Sequence, residues 1–473
     1  MQKNTRIFSA KNMQGHMKRT IEKELISWKE KADRKPLLIR GARQIGKTFL
    51  IEQFANHHFE SVVTVNFEEI PEAKLAFEGD LSPIYILRDL SARLGQPIIP
   101  GETLLFLDEI QACPKALLSL RFFKEKMPKL HVIGAGSLLE FIMGDERFSF
   151  PVGRIEYLFM RPLSYVEFLE AKGEGLSLSW MKEATIKNPV GAATHASLLT
   201  SVKEYFMIGG MPEAINSVLT TGHFLELDRI HHNLLNTYEN DFGKYPKSSQ
   251  QKFMKLLFEA APRLIGDHFK YSKIHPHAQS RDYLESLDVL SRTGILHQVF
   301  ANASSGLPLA SQKNDKKFKL LFLDIGLIPQ ATRSLLLTED LTLVNGGNLA
   351  EQFVGQELIA YAMSYTRAIL YYWEREKKGS DAEVDYVIEV GPYVLPIEVK
   401  SGAKGRLRSL KQFIEEKKSI LGLRISEAPL ALEGNILSVP FYMIQEIPRL
   451  VFDSIQHIKP RNGSSRWQIN ARS

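Results

Sequence analysis

One eight-residue stretch limits what this chain can fold into more than any other. Gly41, Ala42, Arg43, Gln44, Ile45, Gly46, Lys47 and Thr48 follow the apolar run PLLIR and precede FLIEQFANHH, which has the composition of a helix. A strand that enters a glycine-rich turn and leaves it as a helix wraps backbone N–H groups round a phosphate and aims the helix's positive dipole end at the anion. Gly41 and Gly46 let the backbone bend. Lys47 is expected to reach the β- and γ-phosphates and Thr48 to bind Mg²⁺, so ATP and Mg²⁺ are the expected cofactors.

The flanking sequence supports the same architecture. Strand-like runs PLLIR, VVTVNF, TLLFLD, LHVIGAG and IEYLFM alternate with helical segments over connections short enough for right-handed crossovers, which predicts an α/β parallel sheet. The third run ends in Asp108-Glu109. There Asp108 can hold the magnesium shell, and Glu109 is placed to orient water for attack on the γ-phosphate. A metabolic P-loop kinase is disfavoured, because an acid beside Asp108 suits hydrolysis and small-molecule kinases seldom need large downstream modules. Ser137, after the fourth run, suits either a hydrogen bond to the γ-phosphate or the N-cap of a helix SLLEFI. Arg154, just before the fifth run, suits either a neighbouring subunit's ATP or a surface ion pair.

At 473 residues the chain exceeds one ordinary core, and 44% hydrophobic with 24% charged residues is globular usage. No run approaches the roughly 18 apolar residues of a membrane span, and the basic start has no apolar signal segment, so a cytoplasmic protein without membrane contact is expected. The single cysteine, Cys113, can form no internal disulfide. A net charge of +6 permits an acidic partner such as DNA without requiring one. Part of that charge lies in a basic N-terminal extension, 1–17, and a basic tail, 459–473.

Between these ends the ATPase core is expected over 18–162 and a helical lid over 163–245. A winged-helix-like region over 246–345 is read from two helices followed by ILHQVF and KFKLLFLD, with the run ANASSGLPLASQKNDKK taken as a loop. The last unit, 346–458, reads as a separate α/β domain, with Tyr371, Tyr372 and Trp373 assigned to its core.

The chain resembles bacterial and archaeal AAA-type ATPases that join a P-loop core to a region of unknown function and a restriction-endonuclease-like end. The matching segments are KPLLIRGARQIGKT, LLFLDEIQ, GAGS, GRIEYLFMRPLSYVEF, YFMIGGMPEAI, FLDIGL, GNLAEQFVGQEL, VDYVIEV and PIEVKSG. The resemblance spans nearly the whole chain and implies ATP binding and hydrolysis. In that family the position of Arg154 looks like an arginine finger, which would require a homo-oligomer.

The C-terminal end carries its own metal candidates. Asp385 lies on one strand and Glu398 with Lys400 on the next, where alternation puts the latter two on one face. With Glu351 on the preceding helix they look like a PD-(D/E)xK nuclease core. Glu357 is a rival for the helix position but faces differently at about 100° per residue. Two functions follow: an ATPase acting on DNA through this unit, or an ATP-dependent regulatory switch toward a protein partner in which the unit is inert.

Overall fold

The computed structural model describes residues 17–137, 139, 153–245, 248–275, 279–332, 346–376, 382–402 and 405–458. Nearly all of the N-terminal extension and the whole basic tail therefore lie outside the described residues.

The first sheet has five parallel strands: β1 (Leu37–Arg40), β2 (Ser61–Asn66), β3 (Thr103–Asp108), β4 (His131–Ala135) and β5 (Glu156–Phe159). Their order is β2-β3-β4-β1-β5. Helices Lys47–His58, Pro83–Leu94 and Pro114–Lys126 connect them. Burial on both faces explains why β3 and β4 read as continuous apolar runs. Leu104 and Phe106 enter one hydrophobic cluster, and Leu105 and Leu107 enter another on the opposite face. Because the strands are parallel, β1 and β3 end on one edge, which brings the glycine loop beside Asp108.

Helices Tyr165–Ala171, Gly175–Glu183, Ala192–Ile208, Pro212–Thr221 and Leu227–Phe242 follow. The first begins in a reciprocal cap, Ser164 with Glu167. Glu167 also accepts Thr20 N at 2.7 Å and lies 3.3 Å from the Arg19 guanidinium, fixing the start of the described chain to the lid.

The second sheet has eight strands: β6 (Leu296–Asn302), β7 (Lys313–Phe322), β8 (Leu370–Glu374), β9 (Glu383–Val390), β10 (Tyr393–Val399), β11 (Gly422–Ser426), β12 (Ala431–Glu433) and β13 (Ile436–Pro440). Helices Ser248–Ala260 and Ser280–Arg292 precede the β6–β7 hairpin, the order read from the sequence. The hairpin does not stand apart, because β6 pairs in parallel with β8 and one sheet crosses residue 345. The expected 301–317 loop is shorter, since β6 runs through Asn302 and β7 begins at Lys313. Tyr371, Tyr372 and Trp373 are buried, and Phe413 of helix Arg408–Lys417 packs edge-on against Trp373.

A buried carboxylate ties these helices to the second sheet. Asp324 accepts Gly210 N at 2.6 Å, Gly326 N at 3.0 Å and Gln356 Nε2 at 3.1 Å. A Cβ on Gly209 would lie 1.8 Å from Asp324 Oδ1, so no side chain fits there. Arg161 donates to Ala362 O at 2.9 Å, and Phe159 N donates to Ser364 O at 2.6 Å, which ties the end of the first sheet to the second. Among the described residues no helix is long and apolar enough to cross a membrane.

Candidate functional site

The glycine loop follows β1 and closes where helix Lys47–His58 begins. Gly41, Gln44 and Gly46 take φ of 148°, 60° and 90°, values that favour glycine, which stands at two of the three positions. A Cβ on Gly41 would meet Met160 O at 2.3 Å. Arg19 Nη1 holds the loop from outside by donating to Ile45 O at 3.0 Å. Lys47 is buried, with Nζ donating to Gly41 O at 3.1 Å and Ala42 O at 2.8 Å. Burial pulls its pKa down to about 8, opposed by the charges of Glu109 and Asp108.

Across from the lysine, Thr48 Oγ1 donates to Asp108 Oδ2 at 2.9 Å, and Asn66 Nδ2 lies 3.4 Å from the same oxygen. Glu109 N donates to Asp108 Oδ1 at 3.0 Å. Burial raises the Asp108 pKa, while the Thr48 hydrogen bond opposes the rise. A hydroxyl and a carboxylate on one point, beside a phosphate loop, are the oxygen donors that Mg²⁺ takes. The residues present therefore fit the ion.

Glu109 adopts φ 46°, ψ 42°. That left-handed conformation costs a non-glycine residue ~1–3 kcal/mol and swings the chain sharply off the strand. Gln111 Nε2 donates to the Glu109 carboxylate. Gly136 makes room for Gln111, because a Cβ there would sit 1.8 Å from Gln111 Oε1. Next to it the Ser137 hydroxyl is buried and has no hydrogen-bond partner among the described residues. The rest of the helix that Ser137 was expected to cap lies almost wholly outside the described residues.

Helix Leu227–Phe242 holds the loop from the other side. Arg43 Nη1 donates to Asp241 Oδ1 at 2.9 Å, and Tyr238 OH donates to Arg43 O at 2.6 Å, both from helix Leu227–Phe242. Burial lowers the Arg43 pKa, but Asp241, Glu109 and Glu68 outweigh it and the net shift is upward. Sequence reasoning gave no side-chain part to Arg43 and missed Asn66 and Gln111. Asn66 could have been found from its place at the end of β2, where it pairs in register with Asp108.

Arg154 lies elsewhere. It precedes Glu156, which pairs with Leu37 at the start of β1, so it sits at the sheet edge opposite the loop. Four residues of strand separate those edges by roughly 13 Å. Its guanidinium pairs with Glu125 at 3.0 Å, and the side chain is half exposed. It cannot reach its own chain's phosphate loop.

In the second sheet, Asp385 lies on β9, Glu398 and Lys400 at the end of β10, and Glu351 on helix Gly346–Ala360. Val399 N donates to Asp385 Oδ2 at 2.7 Å, and Lys400 Nζ lies 2.6 Å from Glu398 Oε1. The unexpected member is Lys319 of β7. Its side chain is buried, with Nζ 3.4 Å from Glu351 Oε2 and in contact with Glu383. Burial and the charge of Asp385 raise Glu351 to about 8 and Glu398 to about 7. Burial also raises Asp385, against Lys319. Glu398 Oε2 is buried without a hydrogen-bond partner among the described residues.

The four expected residues thus share one neighbourhood. Among the described residues, the group with ligand atoms within 4.8 Å of one another is His268, Glu374 and Glu383. Lysines pair with the carboxylates that an ion would need. Glu357 lies apart, fully buried and accepting Tyr165 N at 3.0 and 3.1 Å. It serves the first turn of helix Tyr165–Ala171.

Comparison with known proteins finds a family model over the residues that hold the first of these sites. Residues 33–169 match the family model of an AAA domain. Residues 199–337 match a domain of unknown function (DUF8612), and residues 346–442 match another (DUF4143). No curated protein matches the chain. Among solved structures, the Walker-type ATPase paby2304 of Pyrococcus abyssi is similar at 15% identity, covering 67% of this chain and 96% of that one, with a TM-score of 0.43. The ORC1 protein of Aeropyrum pernix, solved in complex with DNA, is similar at 14% identity over 66% of this chain and 90% of that one, TM-score 0.25. The RuvB protein of Thermotoga maritima is similar at 16% identity over 59% and 88%, TM-score 0.28. Likenesses this distant bring no function with them.

Proposed function

We propose that the AAA-type P-loop ATPase domain of this chain hydrolyses ATP with Mg²⁺ and that the nucleotide sets the posture of the lid, the second sheet being a platform that does not cut. The observation that carries this reading is the meeting of Thr48 Oγ1 and Asp108 Oδ2 at 2.9 Å opposite Lys47, with Glu109 turned out beside them. Lys47 neutralises charge on the β- and γ-phosphate oxygens. Thr48 and Asp108 would hold the Mg²⁺, which would supply screening of the phosphate charge. Glu109, held by Gln111, takes a proton from water as the water oxygen bonds to the γ-phosphorus. The bond to the β-phosphate oxygen breaks, and ADP leaves with that electron pair. The buried Ser137 hydroxyl, which has no hydrogen-bond partner among the described residues, is read as a donor to the γ-phosphate or the attacking water. Arg43 carries the nucleotide state to the lid, since Asp241 and Tyr238 both hold it.

Phosphate release from ATP by the wild-type chain is expected to fall to background when Mg²⁺ is removed with EDTA and to return when it is restored. Unchanged release in EDTA would overturn the assignment of Thr48 and Asp108.

The inert reading of the C-terminal unit is favoured by Lys319, whose buried ammonium pairs with Glu351 and Glu383 and is held charged by them and by Asp385. Incubation of supercoiled plasmid with wild-type protein and Mn²⁺ is expected to leave it uncut. Nicking that disappears in Asp385→Ala would establish a nuclease instead.

A further inference from the structure

Beside Lys400 the second sheet opens into a groove of about 610 Å³, lined by Arg406, Arg408, Lys411 and Arg424 together with polar Asn435 and Ser438. Glu433 is its one acidic lining residue among those described. Arg408 and Lys411 stand three residues apart in helix Arg408–Lys417 and so share a face. Arg406, Arg408 and Lys411 are exposed, and none has an ion pair among the described residues. Neighbouring cations behave differently: Lys319, Arg375 and Lys400 each face a carboxylate. Gly405 is pressed on the Lys400 stem, where a Cβ would lie 2.9 Å from Lys400 Cδ, so the groove begins at the edge of the lysine–carboxylate cluster.

Three cations without carboxylate partners along an open concavity attract a polyanion, and the lining offers no aromatic face among the described residues on which to stack bases. We infer that this groove holds the phosphate backbone of DNA without reading its sequence. The groove has no enclosed apolar pocket for a free nucleotide, and its guanidinium groups match phosphate oxygens in bidentate geometry. This inference goes beyond ATP hydrolysis and does not depend on it.

The test is anisotropy of a fluorescein-labelled DNA duplex with the full chain over a salt series. Wild type is expected to bind with an affinity that falls steeply with salt. R406Q/R408Q/K411Q is expected to bind at least roughly tenfold more weakly at low salt and to flatten the log–log slope by about 2–3, near 0.9 for each phosphate no longer neutralised. The charge-conserving variant R406K/R408K, with Lys411 kept, should retain the slope. ATP turnover without DNA should be equal in all three proteins, so failure of this inference and failure of the ATPase reading are told apart. An unchanged affinity and slope in the glutamine variant would overturn it, as would a wild type that does not bind duplex. Polyglutamate that displaces the duplex at equal charge concentration would assign the groove to acidic protein segments instead.

Discussion

Lys47→Ala is expected to weaken ATP binding by at least roughly a hundredfold, measured by titration calorimetry, and to remove hydrolysis with it. The ammonium makes charge-assisted hydrogen bonds that contribute about 1.5–3 kcal/mol each, and the variant forgoes two of them on the β- and γ-phosphates. Burial has already lowered its pKa to about 8, so the group is mainly charged at pH 7 and sits where water cannot take its place. The loop should survive the change, because Arg19 and Tyr238 hold it through Ile45 O and Arg43 O. A thermal melt within a few degrees of wild type would confirm this. Affinity within threefold of wild type would refute the phosphate role of Lys47.

Glu109→Gln should separate binding from chemistry. The amide keeps the size of the side chain and leaves the left-handed backbone at 109 undisturbed, so ATP should bind as in wild type. Turnover should fall by ~10²–10⁴, the usual contribution of a positioned general base. Rapid quench should show ATP retained on the protein. Equal single-turnover rates in the two proteins would move proton acceptance to another group.

The ATPase sheet was legible because β1, β3 and β4 are short apolar runs, β2 alternates valine with polar residues, and the loop's spacing is tied to chemistry. The place of Asp108 was legible for the same reason, since it closes a buried strand whose end meets Thr48 of the loop. The second sheet was harder to read. β11 contains Gly422 and a half-buried Arg424, which break the apolar signal, and β12 is three residues long. Lys319 gave no warning, because KNDKKFKLLF reads as a strand entering the core from a solvated end, and only tertiary pairing shows that this lysine is taken inside. The tie from Arg43 to Asp241 spans 198 residues, so no local pattern could announce it. Glu357 shows the converse: its burial against a helix start decided a choice that helical geometry alone had left open.

The pairing of β6 with β8 has an evolutionary corollary. The boundary between the two regions of unknown function falls inside one hydrogen-bonded sheet, so a lineage that dropped the C-terminal portion would bare the β6 edge as a template for aggregation. Separating the two portions would cost β6 its parallel neighbour β8 and leave each portion with an unpaired strand edge.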